Sequence, residues 1–248
     1  LQIIPTLEEV LPAVVADTPA VAEVAAARCR SCGAALHPVE LSGLTPRSHD
    51  LTGQVFDFGG LRELHLPLLG RMQLYNAATA LTVVETLRRR GWHISDEAVR
   101  QGLAQVRWPV RFEVLHRQPP VVLDGGHNPQ CMAALAENVR DYLPHRALTV
   151  LTGVMRDKDY RRMYEALLPY AARFVTVTPD NPRALPAAEL AAYLTTLGRP
   201  ATADGSIEEG AALALAQTPP DGALLCCGSL YLMGDAEAAL KRCLKADK

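Results

Sequence analysis

The sequence lacks a strong excess of either charge. Its 248 residues carry 25 basic and 27 acidic side chains, a formal net charge of −2, with no polybasic run. Nucleic acids and anionic membranes recruit proteins through clusters of Lys and Arg, so neither partner is expected. Apolar runs such as 147–154 are too short to span a bilayer, and the first residues do not resemble a signal peptide. We therefore expect a soluble, cytoplasmic protein.

A regular cysteine framework is also absent, since the six cysteines are unevenly spread along the chain. A chain of this length is too long to be a disulfide mini-scaffold, so reduced thiols are expected. Cys29 and Cys32 have the spacing of half a zinc site, but no second CxxC or HxxxH follows to complete four ligands. Cys226 and Cys227 lie in an apolar run, where cysteine acts as a small buried hydrophobe. No metal site is predicted within this sequence.

Three well-known site motifs are missing. No GxxxxGK[ST] occurs, so the sequence carries no P-loop to hold nucleotide phosphates. No GxGxxG follows a predicted strand, which argues against a dehydrogenase. The sequence also has no GxSxG hydrolase elbow, because the glycine that would follow Ser229 is absent.

What is present after about residue 108 is an alternation of short apolar runs and amphipathic segments. Four runs are bounded by turn residues and predict buried strands: Val121–Leu123, Leu148–Leu151, Phe174–Thr178 and Leu224–Cys227. The intervening segments have helical spacing or length: 132–143, Pro186–Leu197 and Ile207–Ala216. This order predicts an α/β domain with a doubly wound, mostly parallel sheet of the Rossmann-like kind.

The first hundred residues follow a different pattern. Leu51–Phe58 and Leu61–Leu66 flank two glycines and predict an antiparallel hairpin. A helix is predicted to end at Gly91, and Ser95 is predicted to cap another. The Trp108-Pro109 step interrupts this pattern, so we expect two domains, 1–107 and 108–248, with Arg111 at or just after the linker.

One segment of the second half combines several signals for a binding site. The apolar strand at 121–123 runs into Asp124, two glycines and His127, and a helix start follows. In open α/β sheets, ligands bind outside the carboxyl ends of the strands, which makes Asp124 and His127 candidate site residues. The same residues also fit a plain turn, since Asn128 is a good N-cap and Pro129 suits the first helical position.

Other polar groups are predicted to reach the same edge of the sheet. They follow three further strands, and each also has a turn or capping explanation of its own. These groups are 157–159, 180–183 and Ser229. Because the carboxyl ends of parallel strands share one edge, we expect the four groups to converge.

Six blocks occur in the order and spacing of a known family. They are Gly70–Gln73 with Asn76–Leu81, Trp108–Phe112, Leu123–Pro129, Gly153–Asp159, Pro182–Ala184 and Gly228–Leu232. Together they resemble folylpolyglutamate synthase/dihydrofolate synthase, a branch of the Mur ligase superfamily. The resemblance implies that 1–107 is the C-terminal part of an ATP-binding central domain. It implies that 108–248 is the C-terminal domain that binds glutamate and ribose.

The resemblance implies an ATP-dependent ligase that adds L-glutamate to dihydropteroate, to the γ-carboxylate of folates, or to both, through an acyl phosphate. ATP and Mg²⁺ are the implied cosubstrate and cofactor, with the P-loop and the metal ligands expected upstream of Leu1. The enzyme is expected to be a monomer when complete, and this chain to be inactive alone. Two alternatives are another Mur-type amide ligase, with a cell-wall or polyamino-acid substrate, and a non-catalytic nucleotide-binding homologue.

Five residues match functional positions of that family. Asn76, Arg111 and Asp124 match nucleotide contacts, and an amide, a guanidinium and a carboxylate suit a purine edge, a phosphate and ribose hydroxyls respectively. His127 is the implied catalytic residue, and it shares the implied glutamate pocket with Ser229. Ordinary explanations are a helix cap for Ser229, a polar residue near a helix start for Asn76, and a solvated cation for Arg111.

Three positions depart from the family pattern. Met72 stands where histidine is usual, Val110 where glycine is usual, and Gly126 where alanine is common. Valine restricts a linker backbone that glycine would leave free. These departures raise the question of whether the chain is a degenerate copy.

Overall fold

The computed structural model describes residues 13–14 and 19–246, and the chain divides into two compact units, Leu1–Arg107 and Trp108–Lys248. The first unit contains β1 (Ala13–Val14), α1 (Pro19–Cys32), β2 (His37–Pro38), β3 (Leu44–Asp50), β4 (Gly53–Phe58), β5 (Leu61–Leu66), α2 (Arg71–Arg89) and α3 (Asp96–Gln105). Across the described residues, no helix is both long and apolar enough to cross a membrane.

The predicted hairpin of the first unit is confirmed, and it is part of a larger sheet. Strands β4 and β5 pair antiparallel across Gly59 and Gly60, and β3 pairs with β4 on its other edge. The first strand of the hairpin begins at Gly53 and not at Leu51, because Leu51 and Thr52 form the turn from β3. Strand β3 gave no signal in the sequence, since its residues are mostly exposed and it has no buried apolar face.

Two helices complete the core of this unit. Helix α2 is followed by Gly91 with φ +90°, a left-handed conformation that glycine adopts without steric cost. Ser95 caps α3 as predicted, accepting the Ala98 N–H at 3.1 Å. Buried side chains from the sheet and both helices form one apolar cluster, which includes Phe56, Leu64, Leu66, Leu74, Ala77, Leu81 and Val99.

The second unit is an α/β domain with a six-stranded sheet. Its elements are β6 (Glu113–Arg117), β7 (Pro120–Leu123), α4 (Pro129–Tyr142), β8 (Leu148–Thr152), α5 (Tyr160–Glu165), β9 (Ala171–Thr176), α6 (Ala187–Thr196), β10 (Ala201–Ala203), α7 (Ile207–Ala216), β11 (Ala223–Cys227) and α8 (Leu230–Ala246). The strand order is β10-β9-β8-β11-β7-β6, and every pair is parallel except β6 with β7.

This topology confirms the predicted mostly parallel sheet and adds two edge strands that the sequence did not reveal. Strand β10 has only three residues, and β6 is half-buried with no alternating pattern. Strand β9 spans Ala171–Thr176 where Phe174–Thr178 was predicted, because the chain turns away at Pro179. The strand order reverses around β11, which lies between β7 and β8.

Strands β7, β8 and β11 are completely buried, which requires cover on both faces of the sheet. One face packs against α7 and α8 through Val121, Leu123, Leu151, Val175, Leu224, Cys226, Ala211, Leu232, Met233 and Leu240. Alternate strand residues, such as Val122 and Leu225, point to the other face. This two-sided burial explains why the strands are continuous apolar runs in the sequence.

Candidate functional site

The candidate site begins where β7 ends beside β11. The Asp124 N–H donates to the Cys226 carbonyl at 2.9 Å, so β7 pairs with its neighbour up to the start of the turn. The Gly228 N–H donates to the Gly126 carbonyl at 3.1 Å, which joins the two turns. The side chain of Asn128 caps α4 by accepting the Cys131 N–H at 2.8 Å. The two turns therefore lie side by side at the reversal of strand order, where open α/β sheets bind ligands.

Asp124 binds two backbone amides through its carboxylate. Its Oδ1 accepts the Gly126 N–H at 2.8 Å, and its Oδ2 accepts the Phe112 N–H at 2.9 Å. Burial raises the pKa of Asp124, while these two amides and the charges of Arg111 and His127 lower it, and burial is the largest of these effects. Each oxygen keeps a lone pair that can accept a hydrogen bond from a ligand hydroxyl.

Arg111 lies in the linker segment, which we define as residues 110–112. Its positive charge is one of the smaller causes that lower the pKa of Asp124. The residues on either side of Arg111 have left-handed backbones, with φ +54° at Val110 and +47° at Phe112. A β-branched residue rarely adopts this conformation, whereas glycine adopts it freely. The backbone at Val110 is thus one that the family's usual glycine would accommodate.

Gly125 lies where other groups come too close for a side chain. Its N–H donates to the Val110 carbonyl at 2.8 Å, and a Cβ on Gly125 would lie 2.4 Å from Cδ2 of Leu230. A Cβ on Gly126, the position where alanine is common in the family, would lie 3.0 Å from Asp124 Oδ1 and 3.3 Å from Met132 Sδ. Alanine at residue 126 would therefore require a small shift of these neighbours.

The imidazole of His127 is oriented by a backbone carbonyl. Its Nδ1 lies 2.9 Å from the Gly125 oxygen, and a carbonyl can only accept, so Nδ1 carries the hydrogen. In the neutral ring this leaves a lone pair on Nε2, which can take a proton from an amine or accept a hydrogen bond. His127 therefore has one nitrogen committed to the fold and one available for chemistry.

Ser229 is buried directly before α8. Its Oγ accepts the Tyr231 N–H at 3.2 Å, which is a capping interaction. Gly228 has φ +113°, and a Cβ there would lie 2.6 Å from Thr152 Oγ1 and 2.7 Å from the Gly153 carbonyl. The turns after β8 and β11 are therefore packed closely together, and Ser229 lies between them and α8.

The remaining polar turns reach the same edge, as the sequence predicted. The Arg183 guanidinium donates to Asp157 at 3.2 Å and lies 5.8 Å from the centre of the Tyr231 ring. The Arg156 N–H donates to the Arg183 carbonyl at 2.8 Å. These contacts link the turns after β8 and β9 with the start of α8. Asp159 caps α5 by accepting the Arg162 N–H at 3.4 Å.

Asn76 belongs to the first unit, so its position is described there alone. It lies in the second turn of α2, is exposed, and donates from Nδ2 to Gln73 Oε1 at 3.1 Å. Met72, on the first turn of the same helix, is also exposed. Within the part of the chain that the structure describes, no buried contact accounts for either side chain.

No metal centre can be assembled from the side chains that the structure describes. Nowhere in residues 13–14 and 19–246 do three or more His, Cys, Asp or Glu residues come together in a way that could hold a metal ion. Cys29 is buried and Cys32 exposed on α1, and all six cysteines are free thiols.

The sequence of residues 110–230 matches the family model described as "Mur ligase, glutamate ligase domain". This match covers the linker segment and all four polar turns. Residues 110–230 therefore form a Mur ligase glutamate ligase domain. This domain lies within the second unit, and the predicted resemblance is confirmed.

Curated relatives of this chain share one kind of name. A folylpolyglutamate synthase from Lacticaseibacillus casei is 32% identical over 189 residues, which are 73% of this chain and 42% of the relative. A probable bifunctional folylpolyglutamate synthase/dihydropteroate synthase from Haloferax volcanii is 35% identical over 181 residues, 73% of this chain and 21% of the relative. The chain thus spans less than half the length of these relatives.

Solved structures agree with the fold. A Mycobacterium tuberculosis folylpolyglutamate synthase complexed with ADP has a TM-score of 0.79 and 27% identity, and the match covers 90% of this chain and 53% of that synthase. A Thermotoga maritima folylpolyglutamate synthase has a TM-score of 0.76 at 22% identity, with 90% and 52% covered. At that identity, the second likeness concerns the fold only.

The sequence did not reveal the residues that shape the site. Glu113 accepts the Val110 N–H through Oε2 at 2.9 Å, and Leu230 lies over Gly125. Glu113 is the first residue of β6 and Leu230 the first of α8, and no local sequence pattern marks either as a site residue. A signal for Glu113 was its place directly after the block 108–112, and a signal for the left-handed backbone was valine at a position where glycine is usual.

Proposed function

We propose that this chain is part of an ATP-dependent ligase that joins L-glutamate to dihydropteroate or to the γ-carboxylate of folates. The observation that carries the proposal is the pair of hydrogen bonds that attach the linker segment around Arg111 to the turn of Asp124 and His127, at the carboxyl end of β7 in a Mur ligase domain. It is supported by similarity to synthases of that name, one of which was solved with ADP.

In this proposal, nucleotide contacts come from three side chains. Asp124 accepts hydrogen bonds from the ribose hydroxyls through the free lone pairs of its carboxylate, and Arg111 binds phosphate oxygens. Asn76 pairs with the purine edge. Arg111 and Asp124 both belong to the second unit, and the Phe112 N–H, next to Arg111 in the chain, donates to Asp124 Oδ2 at 2.9 Å.

His127 and Ser229 form the proposed glutamate end of the site. The Nε2 lone pair of His127 takes the proton that the attacking amine of glutamate loses as it adds to the acyl phosphate. Because Nδ1 is bound to the Gly125 carbonyl, the ring is oriented before substrate arrives. The Ser229 hydroxyl retains its hydrogen, which it can donate to a carboxylate of glutamate.

Magnesium remains part of the proposal, but the described residues do not offer a site for it. No group of three metal-ligating side chains occurs in residues 13–14 and 19–246, so no step is assigned to a metal on these residues. The first unit is proposed to be the C-terminal part of the ATP-binding central domain. A cytoplasmic location and a monomeric complete enzyme remain predictions from the sequence.

Binding of ADP to the whole chain tests the proposal. Asp124→Ala removes both acceptor oxygens, and we expect ADP affinity to fall by about tenfold, as for the loss of a charge-assisted hydrogen bond. Isothermal titration calorimetry measures it. Asp221→Ala is the matched control. Asp221 is an exposed aspartate directly before β11, at the amino end of that strand and so away from the carboxyl ends where the site lies.

Asp124 also holds the Phe112 amide, so the folding of each variant is checked by thermal unfolding. Asp124→Asn keeps one acceptor oxygen and serves if the alanine variant is unfolded. Equal ADP affinity in the unmodified chain and in a folded Asp124 variant, or no ADP binding by the unmodified chain, would refute the nucleotide assignment.

A further inference from the structure

Three hydrogen bonds hold the linker segment. The Val110 N–H donates to Glu113 Oε2 at 2.9 Å, and the Val110 carbonyl accepts the Gly125 N–H at 2.8 Å. The Phe112 N–H donates to Asp124 Oδ2 at 2.9 Å. All of these residues lie in the second unit. Two of the bonds attach the linker segment directly to the candidate site, and the third is supplied by Glu113.

The backbone of the linker segment needs this restraint. Val110 and Phe112 both have left-handed φ values, which non-glycine residues keep only when the surrounding structure holds them. Phe112 is held by its side chain, which is 1% exposed and packs against the ring of Tyr142 with centroids 5.6 Å apart. Val110 is only partly buried, so its conformation depends more on its hydrogen bonds.

Glu113 is well placed to supply such a restraint. It is the first residue of β6 and pairs with Leu123 of β7, so its backbone is fixed next to the strand that leads into the site. The charge of Lys241 on α8 interacts with the Glu113 carboxylate. A side chain three residues further along that accepts a backbone N–H is a strong local restraint, as in the capping box of helices.

We propose that Glu113 is a positioning residue, whose carboxylate holds Val110 in the left-handed conformation and thereby sets the direction of the Arg111 side chain. Arg111 lies between two residues of unusual backbone conformation, so a change of φ at Val110 redirects its side chain. The inference rests on the proposed function in one respect only, namely that Arg111 binds the phosphates of the nucleotide.

Amide hydrogen exchange tests the restraint without any ligand. In Glu113→Ala, the Val110 amide loses its acceptor, and we expect it to exchange about tenfold faster or more, corresponding to one lost charge-assisted hydrogen bond. Glu113→Gln keeps an oxygen at the same reach and should exchange nearly as slowly as the unmodified chain. Unchanged exchange in Glu113→Ala, or equal exchange in the two variants, would overturn the inference.

Nucleotide affinity tests whether Glu113 acts through Arg111. We expect Glu113→Ala to weaken ADP binding by about three- to tenfold, and Arg111→Ala to weaken it at least as much. In the double variant, the loss should equal that of Arg111→Ala alone, because Glu113 has nothing left to position. Affinity for adenosine, which has no phosphate, should be the same in all four proteins.

The possible results separate the inference from the proposed function. If Arg111→Ala weakens ADP binding and Glu113→Ala does not, the inference fails and the proposed function stands. If Arg111→Ala has no effect, the proposed phosphate role fails, and with it the claim that Glu113 serves that role.

Lys241→Gln is the control for the positive charge near Glu113. Glu113→Asp keeps the charge but is one methylene shorter, and replaces Glu113→Ala if that variant does not fold.

Discussion

At the scale of single residues, Asp57 is a buried carboxylate with both oxygens occupied. Its Oδ2 accepts from Nε of Arg47 at 2.9 Å and from Arg62 at 3.3 Å, and its Oδ1 accepts the Glu63 N–H at 2.8 Å. Glu63 is left-handed, with φ +51°, and lies in β5 where the register of the β4–β5 pair shifts, so the carboxylate also holds this irregular part of the strand. The hydrogen bond from Arg47 is the main cause that lowers the pKa of Asp57, from 3.8 to about 2.

The lowered pKa of Asp57 predicts a specific dependence of stability on pH. A carboxyl with a depressed folded-state pKa adds stability above its unfolded pKa, and this is lost as pH falls through the folded value. We expect Asp57→Asn to lower the free energy of unfolding at pH 7, and the difference from the unmodified chain to shrink between about pH 4 and pH 2. Urea unfolding at several pH values measures it.

The control for Asp57 is Asp235→Asn, since Asp235 is an exposed aspartate on α8. This variant should differ little from the unmodified chain at any pH. A pH-independent effect of Asp57→Asn would mean that the Asp57 side chain stabilises the irregular part of β5 by its shape and not by its charge.

At the scale of elements, close packing of strand ends determines the shape of the site edge. Gly153 follows β8, and a Cβ there would lie 2.5 Å from the Val177 carbonyl and 2.8 Å from Pro179 Cδ. These atoms belong to the backbone and to a rigid ring, so they cannot move aside cheaply. The turn after β8, which leads to Asp157, can therefore pack against the turn after β9, which leads to Arg183, because Gly153 has no side chain.

Gly153→Ala is expected to destabilise the chain by about 1–3 kcal/mol, the cost of overpacking a close contact. Gly234→Ala is the matched control. Gly234 lies within α8 with nothing within 4 Å of its Cβ position, so alanine should raise stability there by up to about 1 kcal/mol through helix propensity. Urea unfolding measures both variants, and similar stability of the two would contradict the assigned cause.

At the scale of the whole molecule, the chain combines a Mur ligase domain with a unit that carries no P-loop motif. The residues proposed to bind nucleotide are divided between the units, with Asn76 in the first and Arg111 and Asp124 in the second. We therefore expect this chain to bind ADP but not to turn over ATP.

We expect the chain by itself to show no glutamate-dependent hydrolysis of ATP. Transfer of a phosphoryl group depends on positioning and electrostatic stabilisation of the phosphates, and the sequence has no P-loop to supply them. Phosphate release is measured with ATP, Mg²⁺, L-glutamate and a folate or dihydropteroate, with the L. casei synthase as positive control. Turnover by the pure chain would contradict this expectation.

Much of the fold could be predicted because its signals are local. The buried strands of the second unit are continuous apolar runs, and the caps at Ser95 and Asn128 depend on the residues beside them. The edge strands β3, β6 and β10 could not be predicted, since an edge strand has fewer buried neighbours and needs no strong apolar pattern.

The sequence by itself determined the α/β fold of the second unit, the antiparallel hairpin of the first and the family resemblance, because each depends on residue types at fixed spacing. Only the tertiary structure decided how the strand ends meet. It brought Glu113, Val110 and Asp124 into one hydrogen-bonded arrangement and gave His127 a defined tautomer. These contacts depend on strand order and backbone angles, which no local stretch of sequence specifies.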